Sequence, residues 1–215
     1  MPYDLLTIGH SNLPAERFMA LLTSAGVTAV ADVRSVPFSR WCPWFSGKAL
    51  AERLASERIA YVALGDAIGG RPRDSTLYRD GVADYEAMAA RPEFAAGLAR
   101  VMDASARQRV CLLCAEREPL DCHRCLLVGR ALCERGLTLG HIRPDGTIER
   151  HAATEERLLA LAGGRSRSFP RSGRAPRRGL SPPRAGGGSA FIARAETVIR
   201  HLPGPRARSS RLHCA

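Results

Sequence analysis

The sequence VCLLCAEREPLDCHR, residues 110–124, is the stretch around which the first two-thirds of the chain is organised. It begins with an apolar run, passes through a polar loop that contains Pro119, and reaches Cys122, His123 and Arg124, where a helical pattern opens. This order predicts a buried strand, a turn and a helix. In open α/β sheets, ligands usually bind at the carboxyl ends of strands. We therefore expect a functional site where this strand ends.

Other strand and helix patterns alternate on both sides of that stretch. Apolar runs closed by turn residues predict five strands, at residues 4–9, 27–33, 59–64, 109–114 and 138–142. Helical spacing of apolar residues predicts helices at residues 14–25, 48–58, 83–90, 92–106, 122–135 and 154–162. Asp145-Gly146 predicts a turn into a small hairpin at residues 147–151. The alternation indicates an α/β domain over residues 1–162, a three-layer sandwich with a mostly parallel, five-stranded, Rossmann-like sheet.

The basic charge of the chain is confined to its last quarter. The formal net charge is +11, yet residues 1–162 hold 20 Lys and Arg against 20 Asp and Glu, whereas residues 163–215 hold 12 Arg and one acid. That tail is rich in Arg, Pro, Gly and Ser, a composition typical of disordered segments. Arginine binds phosphate well, so we expect nucleic acid as a partner of the tail, if it has one.

Cysteine usage and hydropathy indicate a compartment. The chain has seven cysteines, an odd number, and five of them fall between residues 111 and 133. No secretory leader pattern opens the sequence, and no apolar run is long enough to span a bilayer. We expect a cytoplasmic protein with reduced thiols and no membrane partner. The pattern predicts no oligomeric state.

Polar residues follow two further strands of the predicted sheet. His10 and Ser11 come directly after the first strand, and Asp32 and Arg34 lie at or just beyond the end of the second. The carboxyl ends of parallel strands meet at one edge of a sheet, so these side chains are expected near those of residues 114–124.

These motifs together resemble the family known as domain of unknown function 488. The matching residues are Thr7-Ile8-Gly9-His10-Ser11-Asn12, Asp32-Val33-Arg34, Pro37, Ser39, Arg40, Tyr61, Leu64-Gly65, Gly69-Gly70, Leu113-Cys114-Ala115-Glu116, Cys122-His123-Arg124, His141-Ile142 and Asp145-Gly146. The resemblance covers residues 3–151 and leaves out the tail. It implies a compact prokaryotic α/β domain and implies no biochemical role.

The candidate catalytic residues point to thiol chemistry. A thiolate is the reactive form of cysteine, and a helix start or a nearby cation favours it. Cys114 and Cys122 are therefore candidate nucleophiles, with His10 or His123 for proton transfer. Asp32 and Glu116 are expected to orient their neighbours or to act as bases.

A second set of residues is suited to anions. Arg34, Arg40 and Arg124 can form forked hydrogen bonds to carboxylate or phosphate, and Ser11 is expected beside them. The alternative is structural: Asp32 with Arg34, and Glu116 with Arg124, would then be ordinary ion pairs at a sheet edge.

A metal site is a weaker interpretation. Cys111-x-x-Cys114 and Cys122-x-x-Cys125 superficially form a four-cysteine zinc pattern. Residues three apart on a strand point to opposite faces, and the spacer is shorter than the roughly 12–20 residues of common zinc modules. We predict no metal and no cofactor, while a mixed site of Cys114, Cys122, His123 and His10 stays an alternative.

Two hypotheses of function follow. One is a cysteine-dependent enzyme that acts on an anionic, nucleotide-like small molecule at the carboxyl ends of the strands. The other is a non-catalytic, nucleic-acid-associated module that uses the arginine-rich tail. On the sequence alone, it stays open whether the protein is an enzyme.

Overall fold

The computed structural model describes residues 2–165 of the chain. The tail predicted from residue 163 onward, and with it the expectation of disorder, lies outside the described residues apart from the last helical turn, which ends at Arg165. The strands in chain order are β1 Leu5–Gly9, β2 Ala29–Asp32, β3 Ala60–Ala63, β4 Tyr78–Arg79, β5 Val82–Ala83, β6 Val110–Cys114, β7 Leu139–Ile142 and β8 Ile148–Arg150.

The helices occupy the segments between these strands. They are α1 Ala15–Ser24, α2 Gly47–Ser56, α3 Gly65–Ile68, α4 Tyr85–Ala89, α5 Pro92–Ser105, a π-helix Arg124–Gly129, α6 Arg130–Glu134 and α7 His151–Arg165. Short 3₁₀ turns lie at Pro43–Phe45, Ser75–Leu77 and Pro119–Asp121. No helix within residues 2–165 is long and apolar enough to cross a membrane.

The predicted α/β sandwich is confirmed, but its sheet has six strands rather than five. The strand order is β3-β2-β6-β1-β7-β8, and the first five strands are parallel. The sixth strand is β8, which pairs antiparallel with β7 through Ile142 and Ile148. We expected only a small hairpin there. Gly146, with φ of 96°, reverses the chain so tightly that β8 returns onto β7 and covers the edge of the sheet.

Two hydrophobic cores cover the two faces of the sheet. On one face, Leu6 and Ile8 of β1 pack with Phe18 of α1 and with residues of α2. On the other face lie α5, the π-helix, α6 and α7. The alternation along β6 sends Cys111 to the first core and Cys114 to the second, as the argument against a four-cysteine zinc pattern predicts.

The strand order brings together three strand ends that carry or directly precede the candidate site residues. The strand β6 lies between β1 and β2, so Gly9 is opposite Cys114 and Asp32 is opposite Leu113. Beyond the ladder, the amide of His10 donates to the carbonyl of Cys114 at 2.9 Å. The chains that leave β1, β2 and β6 therefore share one edge of the sheet.

The segment after β6 departs from the predicted regular helix. Cys122 has an extended backbone, with φ of −132° and ψ of 135°, because it caps a 3₁₀ turn rather than opening a helix. The six residues that follow His123 form a π-helix, a form often found at functional sites. Every residue of that π-helix is buried.

Candidate active site

A cavity of about 420 Å³ opens at the shared strand edge. The side chains that matter for its chemistry are those of His10, Arg34, Arg71, Cys114, Glu116 and His123. All but Arg71 were candidate residues in the sequence. Cys122 lies directly behind Cys114 and is 1% exposed.

Two thiols and one carboxylate form the centre of the site. Glu116 Oε2 lies 2.9 Å from the sulfur of Cys114 and 3.1 Å from the sulfur of Cys122. The imidazole Nδ1 of His123 lies 3.6 Å and 4.0 Å from the same two sulfurs. The extended backbone of Cys122 brings its side chain back toward the end of β6, which is why residues eight apart in sequence become neighbours.

The orientation of His123 is set by its other ring nitrogen. Nε2 lies 2.9 Å from the carbonyl oxygen of Val33. A carbonyl only accepts, so Nε2 carries a proton and Nδ1 is the nitrogen that faces the thiols. Gly70 packs against the ring, where an added Cβ would lie 2.5 Å from Cγ. The imidazole is thereby held in one position.

The ionisable groups of the cluster perturb one another. Burial raises the pKa of Cys114, and the neighbouring Cys122 raises it further. Burial acts in the same sense on Cys122, but its pKa is lowered because Cys114, Arg124 and His123 stabilise its thiolate. The pKa of His123 is raised by Cys122 against the opposing effect of burial. Of the two thiols, Cys122 therefore ionises more readily than Cys114.

The buried side chain of Arg124 holds the loop that follows β6. Its side chain is 1% exposed, and its guanidinium donates to the carbonyls of Glu116 at 2.6 Å and Arg117 at 3.1 Å. It does not line the cavity. Gly9 lies against the same turn, because a Cβ there would overlap the Glu116 carbonyl. Together, Arg124 and Gly9 fix the loop that carries Glu116.

A second network reaches the cavity through His10 and Arg34. Arg34 donates from Nε to Asp32 Oδ1 at 2.8 Å, and both side chains are buried. The hydroxyl of Tyr61 donates to Asp32 Oδ2 at 2.8 Å. Arg34 Nη1 lies 3.1 Å from His10 Nε2, which can only accept from a guanidinium.

His10 is held as a neutral ring in this network. Its Nδ1 lies 2.8 Å from the carbonyl of Ser11, and its ring stacks on Phe45 with centroids 4.3 Å apart. Burial, together with the charge of Arg34, lowers the pKa of His10 to about 4. Both ring nitrogens are engaged, so His10 orients Arg34 more readily than it transfers protons.

Besides Cys122, Asp32 and Arg124, two more candidate residues do not line the cavity. Ser11 adopts a positive φ of 46° and contributes its carbonyl to His10, while its hydroxyl faces Asn12. The exposed guanidinium of Arg40 lies 4.7 Å from the centre of the Trp41 ring.

Some groups that contribute to the site were not among the candidate site residues of the sequence analysis. Arg71 lines the cavity and is exposed, and it follows Gly69-Gly70 in a turn whose glycines were the available signal. The Val33 carbonyl and the Tyr61 hydroxyl take part only because the sheet places them there.

Another buried polar cluster is formed by residues of the π-helix, β7 and α7. Cys125, His141 and His151 are buried, and their donor atoms lie within 4.8 Å of one another. His141 Nε2 is 3.0 Å from His151 Nδ1, and His141 Nδ1 is 2.7 Å from the hydroxyl of Thr7. Among residues 2–162, no other group of three or more such ligands comes together besides this one and the thiol cluster.

Comparison with known proteins identifies the family. Residues 14–131, more than half of the chain, match the family described as Domain of unknown function DUF488. The chain therefore belongs to that family, and the resemblance seen in its motifs is confirmed. Searches of the curated proteins and of the solved structures gave no match.

Proposed function

We propose that the domain is a cysteine-dependent enzyme that acts on an anionic small molecule in the 420 Å³ cavity. The observation that carries the proposal is the arrangement of Cys114, His123 and the Val33 carbonyl. A thiol at the cavity wall faces an imidazole nitrogen at 3.6 Å, and a third group orients that imidazole. Nucleophile, base and orienting acceptor form the usual arrangement of an activated thiol.

Cys114 is the attacking residue of the pair. It lines the cavity, whereas Cys122 lies behind it. In the proposed step, the sulfur of Cys114 forms a bond to an electrophilic centre of the substrate, and its proton passes to His123 Nδ1. The imidazolium then returns that proton to the leaving group, which departs with its bonding electrons. Water that enters the cavity then attacks the same centre and displaces the Cys114 thiolate, which recovers its proton from that water through His123.

Arginine side chains favour an anionic substrate. Arg34, which is held by Asp32, lines the cavity, and so does Arg71. Within residues 2–165, no carboxylate forms an ion pair with Arg71 that would neutralise it. A nucleotide-like anion is the substrate class we retain from the sequence, because guanidinium groups bind phosphate and carboxylate in a forked manner.

Two alkylating reagents that differ in charge test the proposal. Iodoacetate is an anion and iodoacetamide is neutral, and mass spectrometry can follow each cysteine of the full chain separately. We expect Cys114 to favour iodoacetate more than the partly exposed Cys133 does, and Arg71→Gln to abolish that preference. Faster labelling of Cys133 than of Cys114 with both reagents would contradict the proposal.

A further inference from the structure

The thiol cluster also has the donor set of a metal centre. The donor atoms of Cys114, Glu116, Cys122 and His123 all lie within 4.8 Å of one another. We infer that these four side chains form a zinc(II) site. Thiolate, imidazole and carboxylate are the ligands that zinc takes in proteins, four at a time in a tetrahedron.

The distances fit that coordination. Zinc bound at about 2.3 Å from sulfur and about 2.05 Å from nitrogen, at a tetrahedral angle, separates those two atoms by about 3.5 Å. His123 Nδ1 lies 3.6 Å and 4.0 Å from the two sulfurs. Glu116 Oε2 is closer to the sulfurs, at 2.9 Å and 3.1 Å, because thiol protons lie between them. Its side chain needs to retreat by about 0.5 Å when a metal replaces those protons.

The net charge of a zinc centre with these ligands is also compensated by its surroundings. Zinc binding releases the protons that the two thiols share with Glu116 and His123, and two thiolates with one carboxylate leave the centre with a charge of −1. The positive charge of the buried Arg124 stabilises the thiolate of Cys122, and the backbone N–H of Arg124 donates to the same sulfur at 3.4 Å. One buried cation thus balances the centre.

The surroundings of His123 are those of a metal ligand. Its Nε2 proton is already donated to Val33, which leaves the Nδ1 lone pair directed at the thiols. Metal-bound histidines almost always donate their second N–H to such an acceptor. Cys114, Glu116 and His123 also line the cavity, so the ion has a route of entry from solvent.

The second buried cluster is the less favourable zinc site. In Cys125, His141 and His151, the two facing imidazole nitrogens already form a hydrogen bond at 3.0 Å. The charges of Arg124, Arg143 and Arg157 all act to lower the pKa of His141, after burial and His151. The same positive charges disfavour a dication there.

Zinc and thiol catalysis exclude each other at this site. With zinc bound, both sulfurs are ligands and neither is free to attack, so zinc holds the enzyme in an inactive form. This regulatory consequence rests on the proposed function, whereas zinc binding itself does not.

Metal content and cobalt spectra of the full chain test the site. We expect about one equivalent of zinc per chain, and cobalt(II) in its place should give the visible and near-ultraviolet bands of a tetrahedral dithiolate centre. Cys122→Ser and the milder Glu116→Gln should each weaken zinc binding. For Cys122→Ser the loss should exceed about 100-fold, since even outer partners of a metal cost about 10–100-fold. Cys133→Ser is the matched control.

The outcomes separate the two clusters and the two proposals. Retention of zinc in Cys125→Ser supports the inference. Loss of zinc in Cys125→Ser together with retention of zinc in Cys122→Ser overturns it. A full chain that takes up no zinc overturns it as well. If zinc binds but Cys114 of the chelated protein has no preference for iodoacetate, the inference stands and the proposed function fails. If Cys114 prefers iodoacetate and no zinc binds, the proposed function stands and the zinc inference fails.

Discussion

The sulfur of Cys114 lies 3.6 Å from Nδ1 of His123, although one residue ends a strand and the other immediately precedes a π-helix. This proximity depends on a turn of eight residues that is fixed from both sides. Arg124 holds two of its carbonyls, and Gly9 allows it to lie against β1. The reactivity of the thiol is therefore a property of how this turn is packed.

Gly9→Ala should disturb the site without touching a reacting group. The added methyl overlaps the Glu116 carbonyl, so the turn must move. We expect a loss of about 1–3 kcal/mol in the free energy of unfolding, as for other overpacked positions. Urea denaturation measures it, and slower alkylation of Cys114 should accompany it. Wild-type stability and alkylation rate together would show that the contact does not fix the turn.

Asp32→Asn should destabilise the protein strongly. It leaves the guanidinium of Arg34 buried without its counter-ion, a change that typically costs about 3–5 kcal/mol. Glu16→Gln is the matched control, because Glu16 pairs with Arg53 at the surface, where such pairs contribute less than about 1 kcal/mol. Equal effects of the two substitutions on the denaturation midpoint would contradict the account of this network.

Stability should fall in mild acid because of His10. Its folded pKa of about 4 is below the unfolded value of 6.5, so the unfolded state binds the proton more readily. The stability linked to neutral His10 is present above pH 6.5 and is lost as the pH falls toward 4, by about 3 kcal/mol in full. Denaturation curves at several pH values should show a steeper fall for the wild type than for His10→Gln. Parallel curves would rule out this role.

The arginine-rich tail supports a separate, testable prediction. Residues 163–215 carry 12 Arg and one acid, and we expect them to supply any binding to nucleic acid. A chain that ends at Arg165 keeps every described element, so it should fold, lose salt-sensitive binding to duplex DNA and keep the iodoacetate preference of Cys114. Loss of that preference on truncation, with circular dichroism unchanged, would favour the non-catalytic nucleic-acid module.

The sequence predicts the sheet and most of the site because the signals are local. Apolar runs closed by Gly9-His10 or by Asp32-Val33-Arg34 identify both a strand and the polar residues at its end. Parallel pairing puts those ends at one edge of the sheet, and the order β2-β6-β1 then makes them neighbours. The sixth strand was missed because a hairpin after a turn does not reveal whether it joins the main sheet.

The roles within the site depend on contacts that are distant in sequence. Arg124 resembles an anion-binding residue until the packing places it beneath the Glu116 turn. Arg71 lies in a glycine-rich turn without periodicity, and only the fold brings it to the thiols. The π-helix after His123 has no sequence pattern that separates it from an α-helix, so the extended backbone of Cys122 could not be predicted.

The most direct test of the central claim is the rate at which Cys114 is alkylated by iodoacetate at pH 7 in the chelated full chain, compared between the wild type and His123→Gln. Burial raises the pKa of both Cys114 and Cys133, but His123 Nδ1 lies 3.6 Å from the sulfur of Cys114 and can take its proton, so Cys133 is the internal reference in both proteins. The account predicts that Cys114 reacts first in the wild type and slows by at least about tenfold in the variant, while Cys133 is unchanged. Equal rates of Cys114 in the two proteins would show that His123 does not activate the thiol and would contradict the proposed function.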